Sequence, residues 1–408
     1  MKCHGTLLSV VLLLLMDPAH AAAQQKPQDS STGIDALIKA ALQGDVAAQT
    51  NLATMFIQGK VGPNDYAEAA RWLRAPANQG DVIAQFLLGW MHLQGNGVAQ
   101  DYAEAARLLR KPAERGNVVA QFYMGEMYSR GTGVPQDYAE AAKWFRKPAE
   151  QGNAVAQSYL GSMYLQGNGV PKSSVEAEKW FRKAAAQGNA EAQANLGSMY
   201  FRSGKTPQNY AEAANWSRKA AEQGDAIAQA NLGTMYLQGK GVPQSHVEAA
   251  KWFRKAAEQG DAMAQANLGS MYLQGKGVPQ DPAEAAKWSQ KAAEQGHSAA
   301  QVALGSLYLQ GSGVPLNYAE AEKWFRKAAE QGDRTAQSML GSICSEVKKD
   351  YVEAYMWLSL SLSGSTGRQS PFFQQAADLR DSIARKMNPQ QIAEAQRRAK
   401  EWKPGKPE

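Results

Sequence analysis

Few side chains of this sequence combine the types and spacings that catalysis requires. Beyond the first twenty residues the only histidines are His92, His246 and His297. They fall at three different points of a repeating pattern, so nothing makes them converge as metal ligands or as the base of a nucleophilic triad. Gly204-Lys205-Thr206 has the form of the end of a phosphate loop, but the earlier glycine such a loop needs is Met199. Ser345-Glu346-Val347-Lys348 puts a lysine three residues after a serine, a spacing used for serine nucleophiles, yet no Lys-Thr-Gly triplet accompanies it. No catalytic residue, cofactor or metal is therefore expected.

Recognition is the other chemistry on offer. Ile83, Phe86, Trp90 and Leu93 are spaced 3, 4 and 3 apart, one face of a helix. Ala84, Leu88, Met91 and His92 form a core stripe opposite. One repeat on, Val119 and Phe122 continue the first stripe, and it turns polar at Glu126. A helix apolar all round is either buried on both sides or presents a binding surface. Ile83, Phe86, Trp90, Leu93, Phe122 and Glu126 are the candidate partner-binding residues, with the aromatic rings as anchors.

The elements that must position them repeat. Gly44, Gly80, Gly116, Gly152, Gly188, Gly224, Gly260, Gly296 and Gly332 are each 36 residues apart, and a fixed period of this size marks a stacked array. In the unit from Asp225 to Gly260, Gly224 ends one helix and Asp225 caps the next. This helix A carries Ala228, Leu232, Met235 and Tyr236 on one face, with Gly233 inside it. Gly239, Gly241 and Pro243 break the chain into a loop. Helix B follows, with Ala249, Trp252, Phe253, Ala256 and Ala257 as its apolar face. Gly233 recurs in other units, which implies a close approach by a neighbouring helix, and the recurrent tryptophan reads as core.

Helix B starts repeat their chemistry too. The pairs Asp65/Glu68, Asp101/Glu104, Asp137/Glu140, Ser173/Glu176, Asn209/Glu212, Ser245/Glu248, Asp281/Glu284, Asn317/Glu320 and Asp350/Glu353 all have capping-box spacing. This accounts for the glutamates without a catalytic role. Asn195, Asn231 and Asn267 flank the core face of helix A and are expected to hydrogen-bond between repeats. Pro76, Pro112 and Pro148 stand where later units have Ala184, Ala220, Ala256, Ala292 and Ala328. Proline removes a helical hydrogen bond, so the first three units are expected to stack differently from the rest.

The pattern AxAQxxLGxMYxxGxGV, then a capped helix with its alanines and tryptophan ending in AAxQG, resembles the Sel1-like repeat family, relatives of the tetratricopeptide repeats. The resemblance covers about residues 34 to 402. It implies an all-α fold, a right-handed α-solenoid superhelix of helix–loop–helix repeats, and a scaffold or adaptor that binds a protein or peptide. The expected organisation is a signal peptide over 1–23, a polar linker over 24–33, and an N-terminal half-repeat cap over 34–44. Nine repeats follow over 45–365, the last shortened, then capping helices over 366–402 and a flexible tail over 403–408. Val61 departs from the pattern at the second loop glycine of the first full unit, and Ser203 and Lys205 replace both glycines in the fifth.

Charge and compartment complete the reading. The net charge of the 408 residues is +6. From Thr366 onward there are nine Lys/Arg against five Asp/Glu, so the repeats are nearly neutral and offer no basic stripe to nucleic acid. Lys2, the apolar run from Leu7 to Met16, the Asp17-Pro18 break and the small residues around Ala21 read as a cleaved leader. The run is too short to span a membrane. Export to the periplasm or the exterior is the expectation, with Cys344 the one thiol beyond the leader. An envelope serine hydrolase of the penicillin-recognising type, using Ser345 and Lys348, is the alternative to the scaffold reading.

Overall fold

The computed structural model describes residues 31–61, 64–204, 206–363 and 371–405. Among these residues the regular elements are all helices. They are α1 (Ser31–Leu42), α2 (Val46–Ile57), α3 (Tyr66–Asn78), α4 (Val82–Gln94), α5 (Tyr102–Glu114), α6 (Val118–Arg130) and α7 (Tyr138–Glu150). Next come α8 (Ala154–Gln166), α9 (Ser174–Ala186), α10 (Ala190–Ser203), α11 (Pro207–Glu222), α12 (Ala226–Gln238), α13 (His246–Glu258) and α14 (Ala262–Gln274). The last are α15 (Pro282–Glu294), α16 (Ser298–Gln310), α17 (Tyr318–Glu330), α18 (Arg334–Ile343), α19 (Tyr351–Leu362), α20 (Pro371–Ala384) and α21 (Pro389–Glu401). The leader expected over 1–23 lies outside the described residues. Ser31 already opens α1, so the helix begins three residues ahead of the boundary expected at Ile34.

The chain forms two compact units, 1–192 and 193–408. In the first, successive helices from α1 to α9 pack on one another. In the second, successive helices from α11 to α19 do the same, and α20 and α21 both lie on α19. Within a repeat, the even-numbered helix is A and the following odd-numbered helix is B.

Side chains start both kinds of helix. Asp45, Asp81, Asn117 and Asn153 cap helices A of the first unit, and Asp225, Asp261 and Asp333 cap those of the second, each accepting the backbone N–H three residues on. His297 does the same for α16, its Nδ1 accepting from the Ala300 N–H at 3.3 Å.

Helix B caps depart from the expected reciprocal box. The N-cap side chain does accept from the glutamate N–H, as in Asp101 with Glu104 at 3.0 Å. The N-cap's own N–H, however, goes to helix A of the same repeat, as from Asp101 to the His92 carbonyl and from Asp281 to the Tyr272 carbonyl. The glutamate is thereby released. It pairs with a base three residues on, as in Glu104–Arg107, Glu140–Lys143 and Glu284–Lys287, or accepts from a tryptophan Nε1, as in Glu212–Trp216 and Glu284–Trp288. Among the described residues the reciprocal box is formed by Asn388 and Gln391, which open α21. In the fifth repeat Thr206, not Asn209, is the cap, because Pro207 suits the first helical turn and starts the helix early.

A buried glutamine ties consecutive repeats together. In the second unit the Nε2 of Gln229, Gln265 and Gln301 donates to the carbonyls of Ala221, Ala257 and Ala293 in the preceding helix B. The Oε1 of each accepts from the glutamine that ends its own repeat, Gln259, Gln295 and Gln331, at 2.8 to 2.9 Å. Gln223 donates likewise to Gln193. In the first unit this second bond joins Gln187 to Gln157. Gln49, Gln85 and Gln121 make the first bond, but their Oε1 atoms are buried without a partner.

Those three repeats carry the prolines. Pro76, Pro112 and Pro148 are buried and do not shorten their helices, each of which runs thirteen residues. They change how the helix ends. Gln79, Arg115 and Gln151 bond four residues back, whereas Gln187, Gln223, Gln259 and Gln331 bond three residues back. At these four residues the tighter last turn accompanies the glutamine pairing.

The tail expected to be flexible is docked as far as it is described. Trp402 meets Trp357 edge-on at 6.0 Å, and the Gly405 N–H donates to the free carbonyl of Glu330 at 2.8 Å.

Two glycine positions set the packing distances. A Cβ on Gly125, Gly161, Gly233 or Gly305 would lie 2.6–2.9 Å from the ring of Phe145, Phe181, Phe253 or Phe325 in the helix B that follows. All four rings are fully buried. In the fifth and seventh repeats Ser217 and Ser289 replace the phenylalanine, and a Cβ on Gly197 or Gly269 would then meet the hydroxyl and backbone of helix B. At the second loop glycine, a Cβ on Gly97 would sit 2.2 Å from the Tyr66 backbone, with φ at +69°. Gly152, with φ at +95°, has nothing within 4 Å. Gly97→Ala should therefore cost roughly 3 kcal/mol or more, from strain and a backbone clash together. Gly152→Ala should cost about 1 kcal/mol, from conformation alone. Denaturant melts of the two variants check this, and equal losses would refute the steric account.

Candidate functional site

The stripe on α4 divides when its surroundings are seen. Phe86 is 1% exposed and belongs to the core cluster of the first unit, together with Leu87 and Leu88. It cannot serve as a partner anchor, because α4 is packed on both sides. Ile83, Trp90 and Leu93 are partly buried against the same cluster, and the Trp90 ring lies 6.4 Å from Tyr66. His92, expected in the core, is only partly buried, and its Nδ1 faces the Ala99 carbonyl at 3.2 Å. Phe122 packs into the next cluster, 5.8 Å from Phe145 and 6.4 Å from Tyr159. Glu126 accepts from Arg130 and from the Tyr159 hydroxyl, both at 3.2 Å. The six residues are largely consumed in holding repeats together.

The open apolar surface lies elsewhere. At the second helical position of helix A the second unit presents Ile227, 62% exposed, and Met263, 45% exposed, one repeat apart. Ala299 continues the row and is exposed. Beside it a recess of about 310 Å³ is lined by Ala266, Asn267, Ser270, His297, Ala299, Ala300 and Ala303. No carboxylate, lysine or arginine is among these residues. The recess exists because the places held by Phe86 and Trp90 in the second repeat are Ala266 and Ser270 here. Asn267 Nδ2 donates to the Met263 carbonyl, which leaves its Oδ1 as an acceptor. The asparagine expected to bridge repeats does so at Asn231, whose Nδ2 donates to Ser198 Oγ at 3.0 Å. Sequence periodicity could have found this surface, since small residues at the outward positions are visible in it. The aromatic stripe drew attention instead.

The catalytic look-alikes have structural roles. Thr206 caps α11, while Lys205 lies outside the described residues. Ser345 is 7% exposed within a single π-helical turn, Cys344–Lys348. Lys348 Nζ is 2.7 Å from Glu322, which raises its pKa above the ordinary lysine range. A lysine held protonated this way is no base for a serine. Among the described residues no group of three or more His, Cys, Asp or Glu is placed to hold a metal.

Lys348 belongs to an ionic cluster that closes the shortened ninth repeat. Glu322 meets both Lys348 and Arg326, and Arg326 also meets Glu353 at 2.8 Å. The Trp357 Nε1 donates to Glu353 at 3.2 Å. Burial opposes ionisation of Glu322 and Glu353, but the hydrogen bonds from the cations outweigh it and hold both carboxyls below the usual range. Cys344 lies beside them, fully buried. Burial first, and then the two carboxylates, push its thiol up to about 12.

Helix pairs in tandem, joined by a repeated buried glutamine, with chemistry confined to surfaces, define a helical repeat protein. The Sel1 repeat model matches nine consecutive segments, 46–81, 82–117, 118–153, 154–189, 190–225, 226–261, 262–297, 298–333 and 335–364. The chain belongs to the Sel1 repeat family, whose members generally mediate protein–protein interactions. It is similar to c5321, a protective antigen of uropathogenic Escherichia coli strains with an SLR fold, at 35% identity and a TM-score of 0.79. That match covers 96% of this chain and 82% of the other. A Sel1 repeat protein from Oxalobacter formigenes is 34% identical with a TM-score of 0.58, covering 77% and 92%. No curated protein matches the chain.

Two measurements check the C-terminal cluster. The carboxyl pKa values of Glu322 and Glu353 are depressed on folding. Their contribution is therefore complete above the ordinary carboxylate value of about 4.5 and is lost as pH falls below it. Glu322→Gln should lower stability at pH 7 by roughly 1–3 kcal/mol and flatten the acid limb of the stability profile, and an unchanged acid limb would count against the assignment. Cys344 should react with a thiol reagent only on the timescale of unfolding; labelling within seconds under native conditions would contradict its burial.

Proposed function

We propose that the protein is an exported, non-enzymatic scaffold that holds a protein partner on the helix-A face of repeats 6 to 8. The observation that carries the reading is the pair Ile227 and Met263, large apolar side chains exposed on successive repeats beside an uncharged recess. Soluble proteins rarely leave such groups in line without use. The recess adds hydrogen-bonding groups able to fix a polypeptide against that row. No charged side chain lines it, which argues against a phosphorylated or nucleic-acid ligand. The pairing of Lys348 with Glu322 argues against the serine hydrolase alternative.

Placement in the periplasm or outside the cell rests on the leader-like start of the sequence. The relative described as a protective antigen supports it, since an antigen of that kind is one the host encounters. An N-terminus at Ala22 or Gln24 on protein from the extracytoplasmic fraction is the expected result, and an intact Met1 there would reject export. For the surface, Ile227→Asp with Met263→Asp should leave the melting temperature within a few degrees while abolishing cross-linking to the envelope partner. Capture undiminished in a folded double variant would remove this face from consideration.

A further inference from the structure

We infer that repeats 1 to 3 are the labile end of the array and open in the native state before the repeats of the second unit. Three observations made on different groups converge there. Gln49, Gln85 and Gln121 each bury an Oε1 with no donor, as does Gln337 in the ninth repeat, while Gln157, Gln193, Gln229, Gln265 and Gln301, in repeats 4 to 8, all have one. Pro76, Pro112 and Pro148 each lack the N–H that would close a helical bond onto the carbonyl four residues earlier, at Trp72, Leu108 and Trp144. At the very end, α1, α2 and α3 leave a largely apolar pocket of about 350 Å³ lined by Ile34, Ile38, Phe56 and Trp72 among others.

The asymmetry follows from what water can offer. Opening an interface in repeats 1 to 3 hands the stranded glutamine oxygens to solvent and so relieves a cost. Opening one ahead of repeat 6 or 7 breaks two glutamine hydrogen bonds that cross between repeats, from Gln229 to Ala221 and Gln259 to Gly224, or from Gln265 to Ala257 and Gln295 to Gly260. In a linear array each repeat is held only by its neighbours, so opening begins at an end and moves inward. The C-terminal end is fastened by the Glu322–Arg326–Glu353–Lys348 cluster, by Trp402 on Trp357 and by Gly405 on Glu330. The N-terminal end has no comparable fastening among the described residues. Beyond one glutamine bond per repeat and contacts such as Arg110 to Tyr128, what closes repeats 1 to 3 is apolar burial of Phe86, Leu87 and Leu88, which is strong but not directional. Opening therefore bares an apolar run that the closed array hides.

Native-state hydrogen exchange on the full chain, read by mass spectrometry in rising denaturant, tests this. Amides of 46–150 should lose protection first and exchange at least tenfold faster than those of 226–330. Equal protection along the chain, or first loss at the C-terminal end, overturns the inference. Replacing Pro76, Pro112 and Pro148 with Ala, together with Arg115→Gln, should raise protection in 46–150 at least tenfold. If that variant folds poorly, Gln259→Ala with Gln295→Ala makes the converse test, because it should lower protection in 226–330 by a similar factor. No change in 226–330 on removing those two glutamines also overturns it.

Discussion

In repeats 3, 4, 6 and 8 the contact between the glycine inside helix A and the phenylalanine of the following helix B sets the distance at which the pair packs. A Cβ there would intrude on the ring by more than half an ångström at every occurrence with phenylalanine, so the glycine accepts a helix-propensity cost of about 1 kcal/mol for the close approach. With the helices this near, alanine suffices for much of the remaining interface. The alanines along helix B, such as Ala249, Ala256 and Ala257, are almost fully buried. Where serine stands in for phenylalanine, at 217 and 289, the glycine meets helix B backbone instead, and the pair closes further rather than leaving a hole.

Packing by small residues gives cohesion but little to fix register between repeats. Register comes from polar groups that have one place to bond. The helix-A glutamine reads the end of the preceding helix B with its amide and the end of its own repeat with its carbonyl. Within a repeat the helix B caps fix the pairing of A with B, since their N–H groups reach the last turn of helix A. Arginines on helix B reach tyrosines of the following helix A, as Arg110 to Tyr128 and Arg218 to Tyr236. Buried polar networks of this kind are costly when incomplete, which is why the unpaired glutamine oxygens of the first three repeats and of Gln337 stand out.

The outward face of helix A is free to vary because it bears none of these duties. In repeats 2 and 3 it carries rings that pack inward, Phe86, Trp90 and Phe122. In the second unit it is pared to alanine, asparagine and serine, with Ile227 and Met263 left standing. The same scaffold can therefore present different surfaces along its length at little cost to its stacking, a use consistent with the family's general role in holding proteins.

Much of this was legible in the sequence, and for a physical reason. Spacing by 36 residues, a cap before each helix and glycines after it are local devices, and their repetition left little choice of secondary structure. Tryptophan as core and Gly233 as a point of close approach followed from type and position alone. What the sequence could not decide was which of two geometrically allowed partners a side chain takes. The glutamates of helix B have capping-box spacing, yet a nearby carbonyl of helix A claims the N-cap N–H and frees them for lysine, arginine and tryptophan. Phe86 has the type and spacing of an exposed anchor, and only the neighbours on both sides of α4 show it to be buried. The helix-A glutamine is visible as a letter in every repeat, but that it pairs at thirty residues' distance in repeats 4 to 8, and not in the three repeats with prolines or at Gln337, is a fact of how one helix ends against the next.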